Sequence, residues 1–111
     1  MTDQTVTLID RSGRAVATAR VAEREGYFAG PIDLGPMPAA LRKTFEEYEE
    51  IIHGQMFSLL DEIEERIGVL ALRVVFGEGP EVDVEDLQIF PGTGRVSFKA
   101  LKEPIHIRDQ A

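Results

Sequence analysis

The sequence predicts an α+β domain: an antiparallel β-sheet with one long central α-helix packed on one face, in the order β-β-β-α-β-β-β. Three observations carry that reading. Apolar residues alternate with polar ones over short stretches toward both ends of the chain, the period of a half-buried strand. Between them a single apolar stripe recurs at helical spacing. Clusters rich in Gly, Pro, Asp and Ser separate these stretches, as turns do.

Val6, Leu8 and Ile9 open a first strand. Asp10-Arg11-Ser12-Gly13 supplies turn chemistry, with Gly13 free to take positive φ in a tight hairpin. On the return strand Val16, Thr18 and Arg20 alternate with Ala15, Ala17, Ala19 and Val21. A third strand is expected over 27–34, bent or placed at an edge by Gly30-Pro31, since proline cannot donate to a ladder. Gly35-Pro36-Met37-Pro38 is a stiff connector, and Pro38 suits a first helical turn.

From 39 to 67 the period changes. Leu41, Phe45, Tyr48, Ile52, Met56, Leu59, Ile63, Ile67 and Leu70 follow one another at three or four residues. One helix is therefore expected there, burying Phe45, Tyr48, Ile52, Leu59 and Ile63 against the sheet and stopping at Gly68. Residues 69–76 then make a buried strand, and Gly77-Glu78-Gly79-Pro80 a turn. Val82, Val84, Leu87, Ile89 and Phe90 mark another strand, with an irregularity at Glu85-Asp86. Pro91-Gly92-Thr93-Gly94 is a hairpin loop, and the strand after Arg95 puts Val96 and Phe98 on one face. Ile105 and Ile107, after Pro104, add a short edge strand.

A single compact domain over 1–111 is expected, since domains most often run to roughly 100–150 residues. With 43% hydrophobic residues and no Cys, the composition excludes collagen-like, disulfide-stapled and wholly disordered chains. Lack of Cys also removes thiolate catalysis and Cys-held zinc or iron–sulfur sites. The longest aliphatic run, 69–72, ends at Arg73, far short of the roughly 20 apolar residues that span a bilayer. The first residues lack the basic start and apolar core of a signal peptide, so a cytoplasmic location is expected.

Charge is uneven along the chain. Against 12 Lys and Arg stand 20 Asp and Glu, a net charge of −8. Residues 44–65 hold eight acids and no base, and residues 77–94 five acids and no base. Residues 1–30 balance at four of each, and 95–111 are slightly basic. Such a surface repels nucleic-acid phosphates and anionic membranes, so neither is expected as a partner. The bases Arg95, Lys99, Lys102 and Arg108 are too sparse to reverse that.

Chemistry-bearing residues are few. Glu50 and His53 form a Glu-x-x-His on adjacent helical turns, half of a di-iron ligand pair, but it occurs once and fills only part of a coordination shell. The only other histidine is His106. Gly77-Glu78-Gly79 and Gly92-Thr93-Gly94 open no helix after a strand, and none of the three Ser stands in a nucleophile elbow. No catalytic, cofactor-binding or metal residues are assigned, and no cofactor is expected. One feature points outward. Glu46, Glu50, His53, Phe57, Asp61 and Glu64 fall three or four apart and form a second stripe beside the apolar one. Phe57 stands among acids there, so either the helix bends near Gly54 and returns it to the core, or a partner covers it.

The expectation for function is a non-enzymatic protein-interaction module, with this second stripe as its surface. Two alternatives stand beside it. One is an acidic decoy that occupies a basic, nucleic-acid-binding surface of another protein. The other is a small enzyme or ligand-binding domain using carboxylates and His53. A homodimer is the expected assembly, with a basic protein as the other candidate partner. A straight helix over 39–67 would run about 43 Å and overhang a domain of this size, about 35 Å wide. A second copy across a two-fold axis would cover the overhang.

Overall fold

The structure, a computed structural model, describes residues 3–101. Three strands, β1 (Gln4–Ile9), β2 (Ala15–Arg24) and β3 (Tyr27–Asp33), precede two helices, α1 (Ala39–His53) and α2 (Leu60–Gly68). Three more follow: β4 (Arg73–Phe76), β5 (Glu81–Phe90) and β6 (Arg95–Leu101). All neighbours pair antiparallel, and the ring closes in the order β1-β2-β3-β6-β5-β4. The described residues form a closed six-stranded β-barrel with two short helices.

This corrects the expected open sheet with one long helix on its face. Each half of the chain is a three-stranded meander, and the halves join along two seams. Along one, β3 pairs with β6 from Tyr27↔Lys99 to Pro31↔Arg95; along the other, β1 pairs with β4 from Val6↔Phe76 to Ile9↔Arg73. Closure leaves the sheet no free inner face for a helix to cover, because the strands' own side chains fill the interior. Phe28, Phe76 and Phe98, from β3, β4 and β6, pack ring against ring at 5.0 to 6.3 Å. Small residues on β2 and β3 (Ala17, Ala19 and Gly30) are buried among the larger ones, as a narrow barrel requires.

Gly30 shows how the ring turns. A Cβ there would lie 1.9 Å from the Arg20 carbonyl oxygen, so only glycine permits this approach of β3 to β2. Beside it Pro31 has no N–H to give, and the β2–β3 ladder is interrupted between Ala19↔Ile32 and Ala22↔Ala29 without a change of register. The pair bends β3 inside a closed ring and makes no edge. At the other end of β3, Glu25 and Gly26 both take positive φ, forming the two-residue turn that suits the twist of a hairpin.

The strands β3 and β4 stand opposite each other in the ring, so the helical segment between them crosses one end of the barrel. It is broken in the middle. α1 closes at Gly54, Gln55 takes φ 56°, and a 3-10 turn (Phe57–Leu59) leads into α2. The apolar spacing runs on through the break because α1 and α2 turn their apolar sides to the same core. Phe45, Tyr48, Ile51, Ile63 and Ile67 are buried, whereas Ile52 is half-buried and Leu59 is exposed, correcting two expected core positions. Arg66 on α2 donates to both carboxylate oxygens of Glu47 on α1, at 2.9 and 3.2 Å, and fastens the pair.

The expected strand over 69–76 begins only at Arg73. Val69 caps α2 and is exposed, and Ala71 takes φ 53° in the turn that follows. The expected irregularity at Glu85-Asp86 is a bulge: pairing shifts between Glu85↔Lys99 and Gln88↔Ser97, with Asp86 at φ 53°. The strand expected around Ile105 and Ile107 lies outside the described residues, as does His106. No helix among the described residues is long and apolar enough to cross a membrane.

Candidate functional site

The break between α1 and α2 divides the second stripe among three places. Glu46, Glu50 and His53 stay together on α1, where with Arg42, Pro91 and Gly92 they line a broad groove of ≈670 Å³. Arg42 pairs with Glu46 at 3.3 Å across one helical turn. The His53 ring lies nearly parallel to Phe90, 6.0 Å between centres, and Tyr48 stacks on Phe90 at the same distance. Glu50 and His53 therefore border a surface groove, and among the described residues no three His, Cys, Asp or Glu converge to hold a metal ion.

The same groove holds a residue that the sequence reading passed over. Glu49 is 8% exposed, and its carboxylate accepts the Gly92 N–H at 2.8 Å. A signal for it was present: Glu49 stands four residues after Phe45 and next to Tyr48, a carboxylate on the inward side of the helix.

Phe57 occupies a second place, the tip where α1 passes into α2. It is 59% exposed, with Met56 at 42% and Leu59 at 45% beside it. The bend at Gly54 does not return Phe57 to the core. Asp61 follows in the first turn of α2 with Glu62, where carboxylates complement the positive end of a helix.

Glu64 belongs to the third place, a cleft of ≈370 Å³. It exists because β5 pairs with β4 only from Glu81 to Asp83; beyond that, β5 runs on beside α1. Ile67, Leu72, Val84 and Leu87 give the cleft apolar walls, and Glu64, Asp83 and Asp86 bring carboxylates from α2 and β5. Tyr48, 2% exposed, lines it from α1, and its hydroxyl has no hydrogen-bond partner among the described residues. Burial, and then the charges of Glu64 and Asp86, push the Tyr48 phenol above its ordinary value. Asp86 also accepts the Tyr27 hydroxyl at 3.0 Å, which raises the Tyr27 phenol in turn.

The geometry defines a small closed β-barrel capped by a helical pair, with an acidic cleft between β5 and the helices and an apolar tip where α1 passes into α2. Comparison with protein-family models, curated proteins and solved structures returned no match.

Proposed function

We propose that this chain is a non-enzymatic protein-interaction module that docks through the tip between α1 and α2. The observation that carries this reading is the exposure of Phe57 and Leu59 on a 3-10 turn and of Met56 at its start. Aromatic and methionine side chains are favoured anchors at the centre of protein interfaces. The partner is a protein whose apolar pocket is rimmed by Lys and Arg. Charge complementarity supports that choice, since the tip lies within residues 44–65, which carry eight acids and no base. The same charge disfavours a second copy, whose tip would bring equal acids. The break at Gly54 also removes the overhanging straight helix that motivated a homodimer. A cytoplasmic location belongs to the same proposal, on the support of a net charge of −8 that favours solubility.

The test immobilises the full chain and the Phe57→Ser variant, then identifies by mass spectrometry what each retains from cell extract. A basic protein held at low salt, released by raised salt and lost on the variant is the expected result. Retention of the same proteins by both chains would overturn the proposal. Sedimentation of the isolated chain gives the competing outcome: a dimer that Phe57→Ser dissociates would assign the tip to self-association instead.

A further inference from the structure

We propose that the cleft between β5 and the helices binds an alkylammonium group, either a free aliphatic amine or the side chain of a lysine. This goes beyond the docking tip and does not depend on it.

Two independent features meet in the cleft. The first is Tyr48, a residue only 2% exposed that lines the cleft, with its phenol within reach of the Glu64 and Asp86 charges and its hydroxyl without a hydrogen-bond partner among the described residues. A buried hydroxyl left unbonded costs free energy that a ligand's polar group would recover. The second is the charge around it. Glu64, Asp83 and Asp86 line the cleft, and the one cation there among the described residues, Arg73, is already engaged by Glu81 and by the Asp10 carbonyl oxygen.

An ammonium offers three donors and no acceptor, which suits carboxylates and a phenol oxygen together. The carboxylates do not converge tightly enough for a bare ion among the described residues, so an extended organic cation fits better. The remaining wall supplies the rest of the match. Ile67, Leu72 and Leu87 are apolar and would cover a methylene stem, as lysine stems lie along apolar surfaces elsewhere. A volume of ≈370 Å³ is within the range of small-ligand clefts.

The experiment is a two-dimensional amide NMR titration of the full chain with four probes. They are n-pentylamine, the neutral n-pentanol, an Ac-Gly-Lys-Gly-NH2 peptide and the same peptide acetylated on its lysine. Saturable shifts at Ile67, Leu87 and Gln88 with pentylamine or the lysine peptide, absent with pentanol and the acetylated peptide, are expected. Binding by pentylamine alone assigns the site to free amines; binding by the peptide assigns it to a partner's lysine. Tyr48→Phe keeps the ring and removes the hydroxyl, and Glu64→Gln removes one exposed charge; each is expected to weaken binding about tenfold. Absence of saturable shifts with both cations, or equal response to pentanol, would overturn the proposal. So would unchanged affinity in both variants, provided their spectra show the parent fold.

Discussion

The Glu49 carboxylate on α1 accepts the backbone N–H of Gly92 at 2.8 Å, so a buried acid on the helical cap holds the loop between β5 and β6. Glu49→Ala removes the acceptor and is expected to cost about 1–2 kcal/mol, with Glu49→Gln retaining roughly half of the contribution. Urea denaturation of the three chains measures this. Equal midpoints would show that the contact contributes nothing.

Acid should loosen two surface contacts in a definite window. The Arg14 amide, then the Ser12 hydroxyl, hold the Asp10 carboxyl below its usual 3.8, and the Arg66 guanidinium holds Glu47 below 4.5. A carboxyl whose pKa is lowered by folding stabilises fully above its unfolded value and loses that contribution as pH falls through the folded one. Melting temperature should therefore decline below about pH 4.5, with no such loss from these groups near neutrality. Glu47→Gln and Arg66→Met should each flatten part of that decline, and the double variant should add little further.

Ile63 and Phe57 lie six residues apart and should respond oppositely to the same change. Ile63 is 1% exposed, so Ile63→Asp places an unpaired charge in the core of a domain whose whole stability is about 5–15 kcal/mol, and the chain should unfold. Phe57→Asp alters an exposed side chain and should shift stability by no more than about 0.5 kcal/mol. Circular dichroism melts of both variants decide the point. A parent-like melt for Ile63→Asp would contradict the burial described above.

How much of this was legible beforehand follows from the range of each signal. Strand alternation is local, so the segments around Val16, Val96 and Phe98 could be read from neighbours alone. Closure is not local: it depends on Val6 meeting Phe76 and Phe28 meeting Phe98, pairings that no short window contains. The apolar spacing from Leu41 to Leu70 suits one straight helix and two helices facing one core equally well. Gly54 marked where a bend would fall, but the left-handed Gln55 that turns it into a break carries no glycine to announce it. The tip was legible in part, through Phe57 among acids. The cleft was not, because Tyr48 reads as core and meets Glu64 and Asp86 only after the chain has closed.

Gly30 should tolerate no side chain. A methyl group at 1.9 Å from the Arg20 carbonyl would force the β2 and β3 backbones apart, and Gly30→Ala is expected to cost about 3 kcal/mol or more. Gly77→Ala tests the converse, since nothing among the described residues lies within 4 Å of its Cβ position and only its φ of 57° resists the change, at about 1 kcal/mol. Similar losses in the two variants would show that the barrel corner is less tight than its geometry.

Because the ring is sealed by β3 with β6 and by β1 with β4, its first meander has a difficult interval during translation. Residues 4–33 emerge with both outer strands bare, and their partners follow only after the whole helical segment has been made. At roughly 5–20 residues per second that wait is on the order of seconds. This is also the one long stretch in which acids and bases cancel, so it lacks the repulsion that keeps the finished, acidic molecules apart. Nascent chains crowded on a polysome therefore meet their greatest hazard of mispairing before the protein's own charge has been synthesised.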